Sequence, residues 1–408
     1  PQEDVSRENK ANINASVSPI LSVRIKDLNL EKENFKAGET IKFNFKLENI
    51  TNFYGEGIYT QLTLHKNTVE ENGAISVNQN NVYDFFRNAD SINLKPREEK
   101  NVSFSYAIPA NLPSGEYNLN LSVFSSREMN LDSFIKKITV EGSEGNFSFA
   151  DPKNTSVIAE DKIYRSQEGS IFEYDKEYIP FGEKTYLKNI AKATATFNKP
   201  LPEGAVLKSE IYRYGDPLNE IKDNSIIGFE KNGNAINFSL PLFSQPGAYE
   251  AIVQFYQGKE KVSSPIRMRY IISGDSGLIY NFLVEKKDSQ NFVLYLQNTS
   301  SADDPIGETE ERVQQEKLIK EQFAKDGKTK EPEKEVVQIV FEAKERKSEK
   351  ICFQQNIDVN SKGDVKQIPF ILGESCSDDL TFSAKLMKDG KQLDSVQLSI
   401  TDDSKKGK

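Results

Sequence analysis

Tryptophan is absent from the 408 residues, histidine occurs once, and cysteine occurs twice. Because His65 stands alone, a catalytic group built on histidine would need a second chain to complete it. The glycine-rich signatures of nucleotide binding, G-x-G-x-x-G and the P-loop, are also missing. We therefore predict that the protein is not an enzyme, uses no cofactor, and has no catalytic or metal-binding residues.

Long apolar runs are missing too, and none approaches the roughly 18–20 residues that span a bilayer. The net charge of −9 disfavours binding to nucleic acid, whose phosphates need a cationic surface. The segment from Pro1 to Ser18 is polar and lacks an initiator methionine, so we expect either a removed signal peptide or a fragment. These features favour an extracellular or cell-surface protein with no membrane span in this chain.

Strict alternation of apolar and polar residues is the pattern that fills most of the sequence. From Ile41 to Glu48 every odd position is apolar and every even position is polar, which is typical of a half-buried antiparallel strand. The same period recurs in strands that begin near Tyr117, Tyr249 and Leu380. Since an apolar period of 3.6 residues almost never competes, the predicted fold class is all-β.

A repeat becomes visible when the ends of three segments are compared. In two of them a proline-glycine corner precedes a tyrosine that opens a strand, in the segments Pro113-Ser-Gly-Glu-Tyr117 and Pro246-Gly-Ala-Tyr249. In the third, Leu380 or Phe382 stands where the tyrosine would be. The dipeptide Asp389-Gly390 between two alternating strands predicts a type I′ hairpin turn.

The two tyrosine corners resemble the E–F corner and F strand of prokaryotic extracellular Ig-like and fibronectin-III-like domains. The segment Phe35-Lys-Ala-Gly-Glu-Thr-Ile is similar to the A–B region of the same broad class. The resemblance implies antiparallel sandwiches in which a buried tyrosine anchors the corner, together with an extracellular location. It implies no functional residue.

The predicted organisation is three tandem Ig-like antiparallel β-sandwich domains, at residues 20–141, 146–273 and 278–401. A polar N-terminal arm (1–19) precedes them and a polar tail (402–408) follows them. Because the joints between domains are about five residues long and rich in Gly and Ser, neighbouring domains should nearly touch. If the domains stack end to end, they form a rod of roughly 100 Å.

A charged insertion, about residues 303–334, interrupts the third predicted domain. Its centre, Glu310 to Lys325, is rich in helix formers and twice places Glu four residues before Lys. Two interpretations remain open. The insertion is either a solvated loop or a projecting helix that docks on a neighbour through Ile319 and Phe323.

The two cysteines, Cys352 and Cys376, both fall in the third predicted domain. In a chain otherwise free of cysteine they predict a disulfide and an oxidising compartment, with two buried thiols in a cytoplasmic protein as the alternative. A zinc site would need two further ligands, and His65 is far away in sequence. The segment Asp358–Asp364 begins like a calcium-binding loop, but Pro369 occupies the position that requires glutamate.

Our leading hypothesis for function is a structural or adhesive surface protein, such as a stalk, a surface-layer subunit or an appendage subunit. Its partners would be other proteins or further copies of itself. In one variant of this hypothesis, Ser16 to Ile25 adds as a strand to the open sheet edge of a neighbour.

The alternative hypothesis is a β-sandwich module that binds a glycan or a peptide. The tyrosine-containing segments Phe53-Tyr54-Gly55 and Tyr212-Arg213-Tyr214 would then stack on sugar rings. The absence of tryptophan, the residue most often used for such stacking, counts against this alternative.

Overall fold

The computed structural model describes residues 19–66, 68–69, 75–76, 82–142, 149–150, 152–159, 162–167, 170–174, 185–187, 192–221, 227–272, 276–301, 337–359, 365–373, 376–377 and 379–400. All the regular secondary structure in these residues is β-strand, which confirms the all-β prediction. In the described ranges no helix is long and apolar enough to cross a membrane. Most of residues 1–19, the insertion at 303–334 and the tail at 402–408 lie outside the described residues, so both interpretations of the insertion stay predictions.

The first group of strands, which we call unit one, surrounds a core that includes Phe43, Leu62 and Leu121. A three-stranded sheet has the order β1-β3-β9, and a larger sheet has the order β2-β11-β10-β4-β7, with β8 beside β4. The strands are β1 Val23–Lys26, β2 Asn34–Lys36, β3 Thr40–Asn49, β4 Gly55–Lys66, β5 Thr68–Val69, β6 Ile75–Ser76, β7 Val82–Arg87, β8 Ile92–Leu94, β9 Glu99–Ala107, β10 Gly115–Phe124 and β11 Asn130–Glu141.

The second group, unit two, has a core that includes Phe238, Val253 and Phe255. Its two sheets have the orders β14-β13-β12-β16-β20-β19 and β15-β23-β21-β17-β18, with β22 beside β21. The strands are β12 Pro152–Ala159, β13 Lys162–Gln167, β14 Ser170–Tyr174, β15 Thr185–Leu187, β16 Lys192–Phe197, β17 Val206–Arg213, β18 Asp216–Glu220, β19 Gly228–Asn232, β20 Ala235–Ser239, β21 Gly247–Gln257, β22 Glu260–Lys261 and β23 Ile266–Ile272.

The third group, unit three, has a core that includes Phe292, Phe341 and Phe382. Its sheets have the orders β24-β25-β28 and β27-β26-β29-β30. The strands are β24 Ser276–Lys286, β25 Asn291–Ser301, β26 Val337–Glu345, β27 Ile351–Val359, β28 Lys366–Ile371, β29 Leu380–Lys388 and β30 Lys391–Ile400.

All three units repeat one strand pattern, which identifies the fold class. In the lettering of Ig-like sandwiches, the pairs A–B and B–E form one sheet, and C′–C–F–G forms the other. Unit one shows this as β1-β3-β9 against β7-β4-β10-β11, and unit three as β24-β25-β28 against β27-β26-β29-β30. Unit two shows it as β12-β16-β20 against β18-β17-β21-β23, and it adds the hairpin β13–β14 outside β12. The chain therefore has the Ig-like β-sandwich fold.

The tyrosine corners form as the resemblance implies. The Tyr117 hydroxyl donates to the carbonyl oxygen of Pro113 at 2.5 Å, and the Tyr249 hydroxyl donates to that of Gln245 at 2.7 Å. Each bond spans four residues, so it fastens the start of the F strand to the loop that precedes it.

The hairpin turn at Asp389-Gly390 also forms as predicted. Both residues have positive φ, at 48° and 78°, which is the requirement of a type I′ turn. The turn joins β29 to β30 with Lys388 opposite Lys391.

Strand β1 changes one part of the strand-addition hypothesis. Val23, Arg24 and Ile25 pair with Asn49, Glu48 and Leu47 of the same chain. These residues are therefore already part of the first sandwich, and an arm that reaches a neighbour would have to use residues before Pro19.

Candidate functional site

The three units meet at one junction, and the turn between β10 and β11 lies at its centre. This turn is shaped by Ser125, whose hydroxyl accepts hydrogen bonds from the backbone N–H groups of Arg127 and Met129, both at 3.2 Å. The turn is closed by the N–H of Ser125, which donates to the carbonyl of Met129 at 2.9 Å. A short, internally bonded turn therefore presents the Arg127 side chain to the other two units.

Arg127 bonds both of those units with one guanidinium group. Its Nη1 donates to the carbonyl oxygen of Gly215 in unit two at 2.9 Å. Its Nη2 donates to the carbonyl oxygen of Ser395 in unit three at 2.7 Å and lies 3.4 Å from Asp394 Oδ2. The side chain is only 12% exposed. Its bond to Gly215 is partly buried, whereas its bond to Ser395 lies at the surface. The planar guanidinium suits this arrangement, because its separate N–H groups can donate to acceptors in two different units.

Unit two contributes a second arginine and a glycine to the same junction. Arg213 Nη2 donates to the carbonyl oxygen of Leu393 at 3.1 Å, two residues from the carbonyl that Arg127 uses. Gly215 has φ +82°, and a Cβ atom there would lie 2.5 Å from Leu278 Cδ1 and 3.0 Å from Arg127 Nη1. The backbone conformation favours glycine here, and any side chain would also have to displace the end of the Leu278 side chain.

Asp394 places a buried carboxylate beneath Arg127. Its Oδ2 accepts the backbone N–H of Ile279 at 2.7 Å, which joins β30 to the start of β24. Burial raises the pKa of Asp394, and the charge of Arg127 and the bond from Ile279 offset only part of that rise. Burial likewise lowers the pKa of Arg127.

A second set of buried polar groups joins unit one to unit two. Asp84 of β7 is completely buried and accepts hydrogen bonds from Tyr106, Gln254 and Lys261. The Lys261 ammonium lies 2.7 and 2.9 Å from its two oxygens, and the Tyr106 hydroxyl lies at 2.8 Å. Burial, with the neighbouring Asp84 charge, raises the pKa of Tyr106, so this hydroxyl remains a donor.

Glu250 extends the contact between the first two units as the centre of an ion triad. It accepts from Arg87 of unit one at 3.2 Å and from Arg267 of its own unit at 2.6 Å. The Arg87 guanidinium also lies over the Tyr212 ring, 4.5 Å from its centre. Phe85, Tyr212 and Ile252 form a small apolar cluster beside the triad. Two charged guanidinium groups on one carboxylate, next to apolar rings, make a specific contact.

Unit one also packs directly on unit three through the loop that carries Phe53. Asn49 holds this loop, since its side-chain amide donates to the carbonyl of Phe53 at 2.7 Å. Phe53 meets the Tyr295 ring edge-on with centres 5.4 Å apart and forms a β-bridge with Glu285. Leu283 of β24 belongs to the core cluster of unit one.

Glu56 adds a hydrogen bond to the same contact. Its Oε2 accepts the backbone N–H of Ser399 at 2.5 Å, and burial raises its pKa. The contact of units one and three joins residues 343 positions apart. An end-to-end rod in chain order has no such contact, so the rod expected from the short joints is wrong.

A small cleft of about 50 Å³ lies between units one and three. Tyr54, Glu56, Arg127 and Asn281 are among the residues that line it. Asn281 is 4% exposed, and its amide nitrogen donates to the carbonyl of Pro19, while its buried Oδ1 has no hydrogen-bond partner among the described residues. The cleft is far smaller than the roughly 300–1,000 Å³ of typical ligand pockets.

The two cysteines are joined in a disulfide, Cys352–Cys376, with their Cα atoms 6.0 Å apart. Glu345 lies within 4.8 Å of both sulfurs, but sulfurs that are bonded to each other offer no thiolate to a metal. Instead, Glu345 accepts the backbone N–H of Ser377 at 2.8 Å and the hydroxyl of Ser348. These bonds lower the pKa of Glu345 and hold the loop before β29, where unit three lacks a corner tyrosine.

The structure places the other residues considered from the sequence as follows. His65 is half-buried, with Nε2 2.7 Å from Thr63 Oγ1. Of the segments considered for sugar stacking, Phe53 packs on unit three, and Tyr212 is buried under Arg87. Most of the segment Asp358–Asp364, which begins like a calcium-binding loop, lies outside the described residues, at 360–364.

Sequence reasoning missed the junction residues Arg127, Arg213 and Asp394. A charged residue in a turn or on the polar side of an alternating strand is usually solvated, so the pattern contains no sign of a second unit there. The sequence of β21 contains a weak signal, because Glu250 and Gln254 are the only charged or amide residues among its first ten positions. In the structure, the first nine residues of this strand are all buried. Burial on both faces indicates a strand covered by another unit.

No protein family and no curated protein matches the sequence. Among solved structures, trypsin-activated alpha-2-macroglobulin from Escherichia coli is similar over 95% of this chain and 24% of its own length, at 10% identity and a TM-score of 0.31. The CARDB domain of a Pyrococcus furiosus protein is similar over 30% of this chain and 96% of its own length, at 13% identity and a TM-score of 0.19. An I-band fragment of titin is similar over 94% of this chain and 99% of its own length, at 10% identity and a TM-score of 0.17. Likenesses this distant say nothing about the activity, partners or location of this chain, and the fold class rests on the strand topology above.

Proposed function

We propose that the chain is a structural component of an extracellular surface, such as a stalk, a surface layer or an appendage, and that it acts through protein–protein contacts. Its three units are tandem Ig-like domains at about residues 20–141, 146–273 and 278–401. The observation that carries the proposal is the junction, in which Arg127 of unit one bonds both other units. Such a junction makes three small sandwiches behave as one rigid body.

Rigidity is the property that a structural component needs and that flexible joints would remove. Each contact between units combines buried charged hydrogen bonds with apolar packing, as at Glu250 and at Phe53. Hydrogen bonds to charged groups contribute about 1.5–3 kcal/mol each, so several of them hold the units against thermal bending. The resulting body keeps its outer sheet edges at set distances from one another.

The disulfide Cys352–Cys376 supports the extracellular part of the proposal, since such bonds persist in oxidising compartments. The test is immunolabelling of intact source cells, with permeabilised cells and a cytoplasmic protein as controls. We expect labelling of intact cells and removal of the signal by external protease. Labelling that appears only after permeabilisation would contradict a surface location.

A second candidate, a module that binds a peptide or a glycan, is favoured by one observation. Asn281 lines the cleft between units one and three, and its buried Oδ1 has no hydrogen-bond donor among the described residues. A ligand that supplies a hydrogen-bond donor would satisfy this oxygen. The cleft is large enough for a water molecule or the tip of a side chain, which favours a peptide over a sugar ring. Peptide-array and glycan-array screens of the full chain, repeated with Asn281→Ala, test this candidate. Binding that survives the substitution would place the ligand elsewhere.

A further inference from the structure

The carboxylate of Glu345 lies beside the disulfide of unit three, within 4.8 Å of both sulfur atoms. The three residues come from separate segments, since Glu345 ends β26, Cys352 is the second residue of β27, and Cys376 lies in the loop before β29. All three side chains are half-buried. A molecule that reaches the sulfurs from solvent therefore also approaches a carboxylate.

The backbone fixes Glu345 and Cys352 in this arrangement. The N–H of Glu345 donates to the carbonyl of Lys350 at 2.9 Å, and on its other side Glu345 pairs with Leu380 of β29. Cys352 is the extra residue of a β-bulge, because the residues before and after it pair with adjacent residues of β26. A bulge re-aims the side chain of its extra residue, and here it brings a sulfur to Glu345.

The Glu345 carboxylate carries a full negative charge at neutral pH. Its Oε2 accepts the hydroxyl of Ser348, and its Oε1 accepts the backbone N–H of Ser377 at 2.8 Å. These bonds lower the pKa of Glu345, and the charge of Lys350 lowers it further. Because Lys350 is exposed, water screens its charge, and it offsets only part of the negative charge beside the sulfurs.

Reduction of a disulfide by a small thiol adds negative charge at this same place. The thiolate attacks one sulfur, the S–S bond breaks, and the electron pair leaves on the other sulfur as a new thiolate. A second thiolate then attacks the mixed disulfide, so two small thiols become one disulfide while the protein gains two thiols. A neighbouring carboxylate repels the attacking thiolate and destabilises the thiolate that leaves, and both effects slow the reaction.

We propose that Glu345 makes the disulfide Cys352–Cys376 resistant to reduction and causes it to discriminate among small thiols by their charge. Thiols with additional negative charge are the poorest reductants of this bond. The inference concerns the chemistry of unit three, and it holds whether or not the chain is a surface component. It gives Glu345 a role beyond that of holding the loop before β29.

The test is reduction of the full chain by mercaptopropionate, mercaptoethanol and cysteamine, whose thiolate forms are a dianion, a monoanion and a zwitterion. Released thiols are alkylated and counted by intact mass, and each rate is expressed per concentration of thiolate. Glu345→Gln should speed reduction about tenfold for the dianion, about threefold for the monoanion and less than about twofold for the zwitterion. The matched control is Glu349→Gln, in the same turn but outside the cluster, which should change no rate by more than about 1.5-fold.

Two further variants separate the charge of Glu345 from its hydrogen bonds. Ser348→Ala loosens the turn without changing the charge, so it should alter all three rates by the same factor. Lys350→Gln removes the offsetting cation and should slow reduction by the dianion about twofold. This variant keeps the carboxylate and its bonds, so it tests the inference even if Glu345→Gln unfolds unit three.

Three results would overturn the inference. The first is a set of rates that Glu345→Gln leaves unchanged. The second is an equal increase for all three thiols in a folded Glu345→Gln variant, which would show that Glu345 only holds the loop. The third is a Lys350→Gln variant that the dianion reduces as fast as the unchanged protein, or faster.

Discussion

The guanidinium of Arg127 lies 2.7 Å from the carbonyl oxygen of Ser395, 268 residues further along the chain. We expect Arg127→Ala to lower the free energy of unfolding by about 2–4 kcal/mol, because two carbonyl groups and Asp394 lose their buried donor. Small-angle scattering should also show a larger radius of gyration as the units separate. Denaturant unfolding and scattering on the same samples provide the measurement.

Arg24 of β1 is an exposed arginine and supplies the control for this change. Arg24→Ala should alter the free energy of unfolding by less than about 0.5 kcal/mol and leave the radius of gyration unchanged. Equal effects of the two substitutions would show that Arg127 does not hold the units together.

A side chain at Gly215 should destabilise the protein, because the φ of this residue is +82° and an added Cβ would have to displace the end of the Leu278 side chain. We expect Gly215→Ala to destabilise the protein by about 2–4 kcal/mol, from backbone strain plus overpacking. Gly204 is a matched control, with φ +77° and nothing within 4 Å of its added Cβ. Gly204→Ala should therefore cost only the strain of about 1 kcal/mol. If thermal unfolding gives the two variants the same loss, the contact with Leu278 is unimportant.

The junction should respond to pH through Asp394, whose pKa burial raises above its ordinary value of 3.8. A carboxyl whose pKa is higher in the folded state binds its proton more tightly there, so its stabilising effect is complete below 3.8 and is lost as pH rises through the folded-state pKa. Asp394→Asn removes this titration but retains an oxygen that can accept from Ile279. The stability of the asparagine variant relative to the unchanged protein should therefore increase as pH rises from about 4 to 7.

Unfolding midpoints at several pH values, measured in parallel for both proteins, check this prediction. Exposed carboxylates with lowered pKa, such as Glu99, act in the opposite direction, and the difference between the two proteins cancels their contribution. A difference that stays constant with pH, or that falls as pH rises, would contradict the burial of an ionised Asp394.

The corner tyrosines should each stabilise their own unit by one hydrogen bond. Tyr117→Phe removes the donor to Pro113, and Tyr249→Phe removes the donor to Gln245. We expect each change to cost about 1–2 kcal/mol in denaturant unfolding, since a partly buried carbonyl loses its partner while the ring still packs. Tyr256→Phe is the control, because that hydroxyl reaches its acceptor only at 3.4 Å. A larger loss in the control would refute the special role of the corners.

Local features of the fold could be predicted from the sequence, and contacts between units could not. The corners around Tyr117 and Tyr249 and the turn at Asp389-Gly390 depend on a few neighbouring residues, so their patterns are readable along the chain. Arg127 follows two serines in a turn, a setting in which arginine is usually solvated. Its hydrogen-bond partners are known only once the other two units are in place. Alternation of apolar and polar residues distinguishes the two faces of a strand, but it does not show what covers the polar face.

The disulfide should be most important where the corner tyrosine is missing. In unit three Phe382 is completely buried and its ring packs in the core, so it does not fasten the loop before β29 as a corner tyrosine would. The disulfide Cys352–Cys376 connects that loop to the start of β27. Closing a loop between cysteines 24 residues apart removes unfolded-state entropy equivalent to about 3 kcal/mol. We expect reduction, or the pair Cys352→Ser/Cys376→Ser, to lower the stability of unit three by this amount and to leave the transition of unit two unchanged. Hydrogen exchange measured unit by unit separates the outcomes, and equal loss in units two and three would show that the bond acts through the junction.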